Sequence, residues 1–486
     1  MSPQDRSTKS FSDFVEKENI ATKGRVPERR LFHDITIRIA KLINIVLMTV
    51  PFAVAWYSSY ADQTWVHFYM RGHWLVIGLF VLIYFSIGKV YEAFKMSYNS
   101  TGEMIYSQML SLLEVDVIMY IVAVLLIRHI PTVIPMLLTF AAQGVIAVAW
   151  SLVSKKWYFH TFPANKTVIV WDMRETSGQL INKYNLRKKF KVVDIIHVED
   201  CIVDMSVLDD ADTVFLSGIH SHDRNIITKY CLTHGIEAYL IPRIGDLIIT
   251  GAKKSNMFHM LLLKVERFNP TLEYMIAKRT MDIALSLVAV VVLSPVMLVT
   301  ALCIKAEDNG PVLYKQCRLT KNGKKFNILK FRSMRTDAEK DGVARLSTGD
   351  DDDRITKTGK IIRKCRIDEL PQLFNILKGD MSIVGPRAER PEIADQYHEE
   401  LPEFALRLQM KAGLTGYAQV YGKYNTTPYD KLLMDLMYIA DASIFEDIRI
   451  IFATVKILFI PESTEGVQNG QTTAMDYENT TDRKEN

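Results

Sequence analysis

The chain has 486 residues, 49% of them hydrophobic and 23% charged, with a net charge of +4. Its length allows about two to four domains, and so mild a charge, with no basic helix interleaved with stacking aromatics, argues against nucleic acid as a partner. The five cysteines, Cys201, Cys231, Cys303, Cys317 and Cys365, are scattered without a CxxC pair, which argues against both a disulfide framework and a zinc site.

Residues 1–38 are mostly polar and read as a cytoplasmic tail rather than a cleavable signal. Residues 42–61, 72–88 and 129–154 then carry no charge, and 117–127 is apolar. A helix needs about 20 such residues to cross the hydrocarbon core. Four spans are expected near 39–60, 72–94, 108–130 and 132–154, forming a transmembrane bundle over 39–154. Lys23, Arg25, Arg29, Arg30, Arg38, Lys41, Lys89, Lys95, Lys155, Lys156 and Lys166 flank one side, and only Arg71 and Arg128 the other. By the positive-inside rule both ends of the bundle face the cytoplasm. Glu114 and Asp116 are expected near the cytoplasmic end of span three, in contact with water.

Between 165 and 265 the pattern becomes soluble. KTVIVWD, KVVDIIHV, DTVFLSG and IEAYLIP read as short β-branched strands, with helical stretches around 178–190 and 222–234. That is the rhythm of a small Rossmann-like α/β domain. The turn WDMRETSGQL has only Gly178 where a dinucleotide loop wants three glycines, so a structural, regulatory or dimerising role is expected instead.

A fifth apolar stretch, 283–304, is uncharged and holds Ser294-Pro295 at its middle. Lys264, Arg267, Lys278 and Arg279 precede it, and Lys305, Lys315, Arg318, Lys321 and Lys324 follow. Two basic flanks suit a helix that enters the membrane, bends and returns, although a kinked span or a buried helix would share the composition. Pro295 removes an amide and frees the Val291 carbonyl; Ser294 is placed to help satisfy such a break.

The remaining third is dense with motifs: GKKFNILKFRSMR, DDDDRITKTGKIIRKCRIDELPQL, KGDMSIVGPRAERPE and GLTGYAQVYGKY. Arginines and lysines recur around the adjacent acids Asp368 and Glu369. Beside a membrane segment, this suggests a diphosphate held at the bilayer surface, for which arginine's planar fork is suited. Taken alone, Asp-Glu-x-Pro is also good helix-start chemistry.

Lys278-Arg279-x-x-Asp282, Ser294-Pro295, Lys330-Phe331-Arg332-Ser333-Met334, Asp368-Glu369-Leu370-Pro371-Gln372-Leu373, Lys378-Gly379-Asp380-Met381-Ser382, Gly385-Pro386-Arg387, Gly413-Leu414-Thr415-Gly416 and Tyr438-x-x-x-x-Ser443 together resemble the catalytic domain of the monotopic phosphoglycosyl transferases, the bacterial sugar transferase family. The resemblance implies a C-terminal α+β monotopic domain over 275–460 with a re-entrant membrane helix. It implies transfer of a hexose 1-phosphate from a UDP-sugar to undecaprenyl phosphate, releasing UMP, as the first membrane step of exopolysaccharide or capsule synthesis. It implies Asp368 as the covalent nucleophile, Glu369 as its partner in holding Mg²⁺, a cytoplasmic catalytic face on the bacterial inner membrane, and a possible homodimer. Lys330, Arg332, Arg363 and Arg387 are the candidates for binding the diphosphate. The chain departs from the family pattern at three places. Thr320 stands where glycine is usual, Ala388 replaces the second proline of Gly-Pro-Arg-Pro, and Lys411-Ala412 precedes Gly413 where proline is common.

Two other readings compete. The acidic run at 350–353 contains an Asp-x-Asp pair of the kind that holds metal in glycosyltransferases, whose product is UDP rather than UMP; a solvated acidic loop is its commoner meaning. A transporter or export scaffold would use the bundle, which shows no obvious internal repeat. At the end of the domain, 448–460 is an apolar stretch with Arg449 and Lys456 two turns apart, suited to the membrane interface or to closing the core. The polar tail 461–486 is expected to be disordered.

Overall fold

The structure, a computed structural model, describes residues 26–65, 70–172, 186–335, 354–422 and 427–458. The Gly178 turn, the acidic run at 350–353 and the tail 461–486 lie outside them. The chain divides into two units, Met1–Ile241 and Pro242–Asn486.

The first unit opens with four long helices: α1 (Val26–Ala55), α2 (Met70–Val90), α3 (Thr101–Ile127) and α4 (Ile134–Thr161). Each is long and apolar enough to cross a membrane. A capping box starts α3: Glu103 N–H donates to Ser100 Oγ at 3.1 Å, and Ser100 N–H to Glu103 Oε2 at 2.6 Å. The helices pack on one another, with Phe52 stacked on Phe80 at 4.5 Å. Their outward residues are apolar and exposed, as with Leu75, Leu82, Leu125 and Val145, the pattern of a lipid-facing surface.

Polar groups turn inward instead. The Tyr84 hydroxyl donates to Asn44 Oδ1 at 2.9 Å, and Gln143 Nε2 to the Met48 carbonyl at 3.1 Å. The expectation that both acids of α3 stay wet fails here. Asp116 is 3% exposed, and Glu114 accepts from the Tyr91 hydroxyl at 2.5 Å. The reason is that α3 begins at Thr101, which places Asp116 about 22 Å along it.

The four expected strands follow as β1 (Asn165–Trp171), β2 (Phe190–His197), β3 (Thr213–Ser217) and β4 (Glu237–Leu240), with α5 (Val198–Val203) and α6 (Ser221–His234) between them. They form one parallel sheet of order β2-β1-β3-β4. Alternation along β1 and β3 sends Val168, Val170, Val214 and Leu216 to one core and Ile169 and Phe215 to the opposite face. Such two-sided burial explains the near-continuous β-branched runs.

The second unit begins with α7 (Ile244–Thr250) and the hairpin β5 (Lys253–Met257) and β6 (Met260–Lys264). The sequence-based domain boundary at 265 and this division differ by the segment 242–265. The physical reason is Leu247, which is buried in the second unit's core.

Next come α8 (Leu272–Asp308), the antiparallel pair β7 (Leu313–Leu319) and β8 (Lys325–Phe331), then α9 (Lys357–Lys364) and α10 (Gln372–Lys378). The short strands β9 (Ser382–Val384) and β10 (Gly413–Thr415) pair in parallel, with α11 (Pro391–Glu400) between them in sequence. Finally α12 (Tyr417–Tyr421), α13 (Pro428–Ala440) and α14 (Ile444–Leu458) close the unit. On α14, Asp447 and Ile450 are fully buried while Phe445 is exposed, so one face of this helix closes the core.

Helix α8 is apolar and mostly exposed, including Val291, Val292, Leu298 and Val299. Ser294 Oγ donates to the Val291 carbonyl at 2.8 Å, the acceptor that Pro295 leaves without its amide. Both ends are fastened to the same unit. Near the start, Lys278 Nζ lies 2.8 Å from Asp447, and Asp282 Oδ1 accepts from Ile383 N–H at 3.0 Å and Ser382 Oγ at 3.1 Å. At the far end, Glu307 accepts from Lys357 N–H at 2.8 Å, and Asp308 pairs with Arg332.

Candidate active site

Helix α9 ends at Lys364, and the chain reverses through Arg366, a non-glycine residue at φ 56°. A single 3₁₀ turn, Ile367–Glu369, then carries the acidic pair to the start of α10. That helix has Pro371 at its N-cap and no side-chain cap hydrogen bond. The acids therefore sit three and two residues ahead of the N-cap, and their carboxylates do not cap the helix.

The surroundings of the pair are cationic. Lys330, near the end of β8, donates from Nζ to Glu369 Oε1 at 3.2 Å. Arg387 Nη2 lies 3.6 Å from the same oxygen. Burial disfavours the charge of Glu369, yet Lys330, Arg387 and Arg366 together pull its titration well below the usual carboxylate range. Asp368 moves the opposite way. Burial, and then the charge of Glu369, raise it, against the pull of Lys330, Arg363 and Arg366. Asp368 Oδ1 is buried and has no hydrogen-bond partner.

The loop bearing Arg387 is fixed from behind. Arg407 Nη2 donates to the Arg387 carbonyl at 3.0 Å and pairs with Asp435 at 2.7 Å. Arg318 Nη1 donates to the Ala388 carbonyl at 3.1 Å. Gly385 and Gly413 let two backbones meet: a Cβ on Gly413 would lie 2.2 Å from Gly385 N. This explains why both motifs need glycine there.

Four of the candidate residues thus come together: Asp368, Glu369, Lys330 and Arg387. Arg363 joins them through its charge on Asp368. Arg332 is placed elsewhere: it is 7% exposed and its guanidinium makes a two-bond pair with Asp308, one bond at 2.6 Å. Its guanidinium packs on Gly310, whose Cβ position would fall 2.6 Å from Nη1. Ser294 and Pro295 lie inside α8, which runs as one continuous helix from Leu272 to Asp308, and are not part of this cluster. Arg366 is one of the recurring basic residues of this third in the sequence but not one of its four diphosphate candidates; its charge nevertheless acts on both acids.

The residues fit a hard divalent cation to a limited extent. Two adjacent carboxylates, one with an unengaged buried oxygen, are suitable donors. Among the described residues there is no group of three or more His, Cys, Asp or Glu side chains able to hold a metal. Mg²⁺ typically takes one or two carboxylates and completes its shell with water and substrate phosphates, which matches this donor set.

Long apolar helices, together with a half-buried carboxylate pair under arginine and lysine in the second unit, define a membrane-associated protein with an anion-handling site. Residues 273–461 match the family model described as bacterial sugar transferase. The chain is 39% identical over 235 residues to the UDP-N-acetylgalactosamine-undecaprenyl-phosphate N-acetylgalactosaminephosphotransferase of Aeromonas hydrophila, covering 48% of this chain and 54% of that one. It is 43% identical over 201 residues to the exopolysaccharide production protein PSS of Rhizobium leguminosarum bv. phaseoli, covering 40% of this chain and 98% of the relative. It is 39% identical over 191 residues to the UDP-glucose:undecaprenyl-phosphate glucose-1-phosphate transferase of Caulobacter vibrioides, covering 38% and 71%. The chain belongs to the bacterial sugar transferase family of polyprenyl-phosphate phosphoglycosyl transferases. It spans about half the length of the Aeromonas relative. The apolar helices and bacterial relatives point to a bacterial membrane protein.

Proposed function

We propose that the protein transfers a hexose 1-phosphate from a UDP-sugar to undecaprenyl phosphate, giving undecaprenyl-diphospho-sugar and UMP. The observation that carries this reading is the asymmetry of the pair. Glu369 is engaged by Lys330 and Arg387, whereas Asp368 keeps a buried oxygen without a partner.

In the first step an Asp368 carboxylate oxygen attacks the β-phosphorus. The new O–P bond forms as the bond from that phosphorus to the bridging oxygen breaks. UMP leaves with the electron pair, and an aspartyl phosphosugar remains. In the second step a phosphate oxygen of the lipid attacks the same phosphorus and returns Asp368 as carboxylate. The role of Asp rather than Glu as nucleophile is what the family resemblance implies, and the unengaged oxygen supports it. Lys330, Arg363, Arg366 and Arg387 offset the repulsion between anions. Mg²⁺, held by Asp368 and Glu369, would neutralise phosphate charge.

Helices α1–α4 form the transmembrane bundle in this reading, and α8 enters and leaves the cytoplasmic leaflet. Support for the re-entrant form comes from the basic flanks, the Ser294–Val291 bond at the proline and the attachment of both helix ends to one unit. The pair then faces the cytoplasm, where the lipid phosphate and the UDP-sugar meet.

The test is to incubate the detergent-purified chain with UDP-sugars and undecaprenyl phosphate and identify the nucleotide released. UMP supports the proposal, and UDP would replace it with sugar transfer. Asp368→Asn should abolish turnover; near-unchanged turnover would remove the covalent role.

A further inference from the structure

A pocket of about 180 Å³ opens beside Arg387. Glu389, Asp395, His398 and Arg407 supply its polar wall, and Phe404 an apolar one. Its volume is below the roughly 300–1,000 Å³ of sites for drug-sized ligands, so it suits one ring rather than a whole nucleotide sugar. Arg387 borders the pocket and also stands 3.6 Å from Glu369. The pocket therefore begins within one arginine side chain of the phosphate chemistry.

Its wall is rigidly built. Glu389 lies between Arg407 at 3.4 Å and Arg318 at 4.0 Å. Burial disfavours its charge, yet Arg407, Lys431, Arg318 and Arg387 keep it below the ordinary carboxylate range. It is thus a fixed, ionised acceptor, the kind of group that discriminates among hydroxyl arrangements. Two of the three departures from the family pattern reach this pocket, at Thr320 and Ala412. Ala412 N–H donates to Thr320 Oγ1 at 3.1 Å. Thr320 in turn donates to the Asp380 carbonyl at 2.9 Å. Ala388 lies between Arg387 and Glu389 in sequence. The chain thus differs from its family pattern where one small pocket adjoins the site, and the sugar is the part of the donor that differs between members' substrates by name.

We propose that this pocket holds the sugar ring of the nucleoside diphosphate sugar, with Glu389, Asp395 and His398 reading its hydroxyls and Thr320 shaping the wall. The inference rests on the transfer reading above. Asp395 and His398 are exposed on α11, so their variants should fold, and a melting curve verifies this.

The experiment measures kcat/KM for a panel of UDP-hexoses and UDP-N-acetylhexosamines with undecaprenyl phosphate. It uses the unaltered chain, Asp395→Asn, His398→Ala and Thr320→Gly. The ratio between the best and second-best donor should change by about tenfold or more in at least one variant, while inhibition by UMP stays constant. Ratios within about twofold in all three variants, with the unaltered chain active, would overturn the pocket's role alone. A changed UMP inhibition with unchanged donor ratios would assign the pocket to the nucleotide and overturn the proposal equally. Absence of nucleotide release from every donor by the unaltered chain would instead remove the transfer reading.

Discussion

Lys330 and Arg387 converge on one atom: both reach Oε1 of Glu369, at 3.2 and 3.6 Å. They come from β8 and from the loop after β9, so the 3₁₀ turn carrying the acids is clamped between two separate parts of the domain. Because the two cations share an acceptor, their losses should not add. Lys330→Met and Arg387→Ala are each expected to lower turnover by about 10²–10³-fold, the cost of removing one preorganised charge donor. The double variant should lose less than the product. Steady-state UMP release for the four proteins checks this, and strict multiplicativity would mean that the two cations act independently.

The pH dependence has a definite sign. Asp368 must be ionised to attack, and burial together with the neighbouring Glu369 raises its titration. Turnover should therefore fall as pH drops through that raised value, beginning above the ordinary aspartate range near 4. Glu369→Gln removes the like charge that contributes to the rise. The acid limb of the residual activity should then move to lower pH, although the maximum rate falls. A limb that stays in place or moves up would show that Asp368 does not set it.

Local pattern made much of this molecule readable. The β-branched runs identified all four strands of the parallel sheet; burial on both faces accounts for the runs of the central β1 and β3, while the edge strands β2 and β4 are largely exposed. Hydropathy found the long helices, and the motif series named Asp368, Glu369, Lys330 and Arg387, which the structure brings together. Long-range pairing was less readable. Arg332 stands two residues from Lys330, yet it pairs with Asp308, 24 positions earlier, and nothing local signals that partner. Arg407 and Asp435 likewise meet across distant segments, behind Arg387. Asp116 was expected in water because its helix was started too late; the capping box at Ser100 holds the missing information.

The domain edge is open to a direct test. Leu247 lies in the core of the second unit, and a Cβ on Gly251 would sit 3.3 Å from Ala440 Cβ. A chain beginning at Pro242 should keep both contacts and retain UMP release in detergent. One beginning after residue 270 loses α7 and the hairpin. Loss of the buried leucine alone should cost about 2–5 kcal/mol, seen as a lower melting temperature. Equal melting temperatures for the two truncations would show that α7 contributes nothing to the core.

In the proposed re-entrant reading, the path of α8 depends on Pro295. At 37 residues the helix is about 55 Å long, well beyond the roughly 30 Å of hydrocarbon a simple crossing needs. With the Val291 carbonyl served by Ser294 Oγ, a bend leaves little unsatisfied in lipid. Pro295→Ala restores an amide donor for that carbonyl and removes the ring that opposes a straight helix. In a chain whose native cysteines are replaced by serine, Glu273→Cys and Asn309→Cys mark the two ends. Both should react with an impermeant thiol reagent from the cytoplasmic side only. Adding Pro295→Ala should make one end inaccessible from that side in a fraction of the molecules, with a matching loss of UMP release. Labelling of the two ends from opposite sides in the proline-containing chain would establish a simple crossing and end the re-entrant reading.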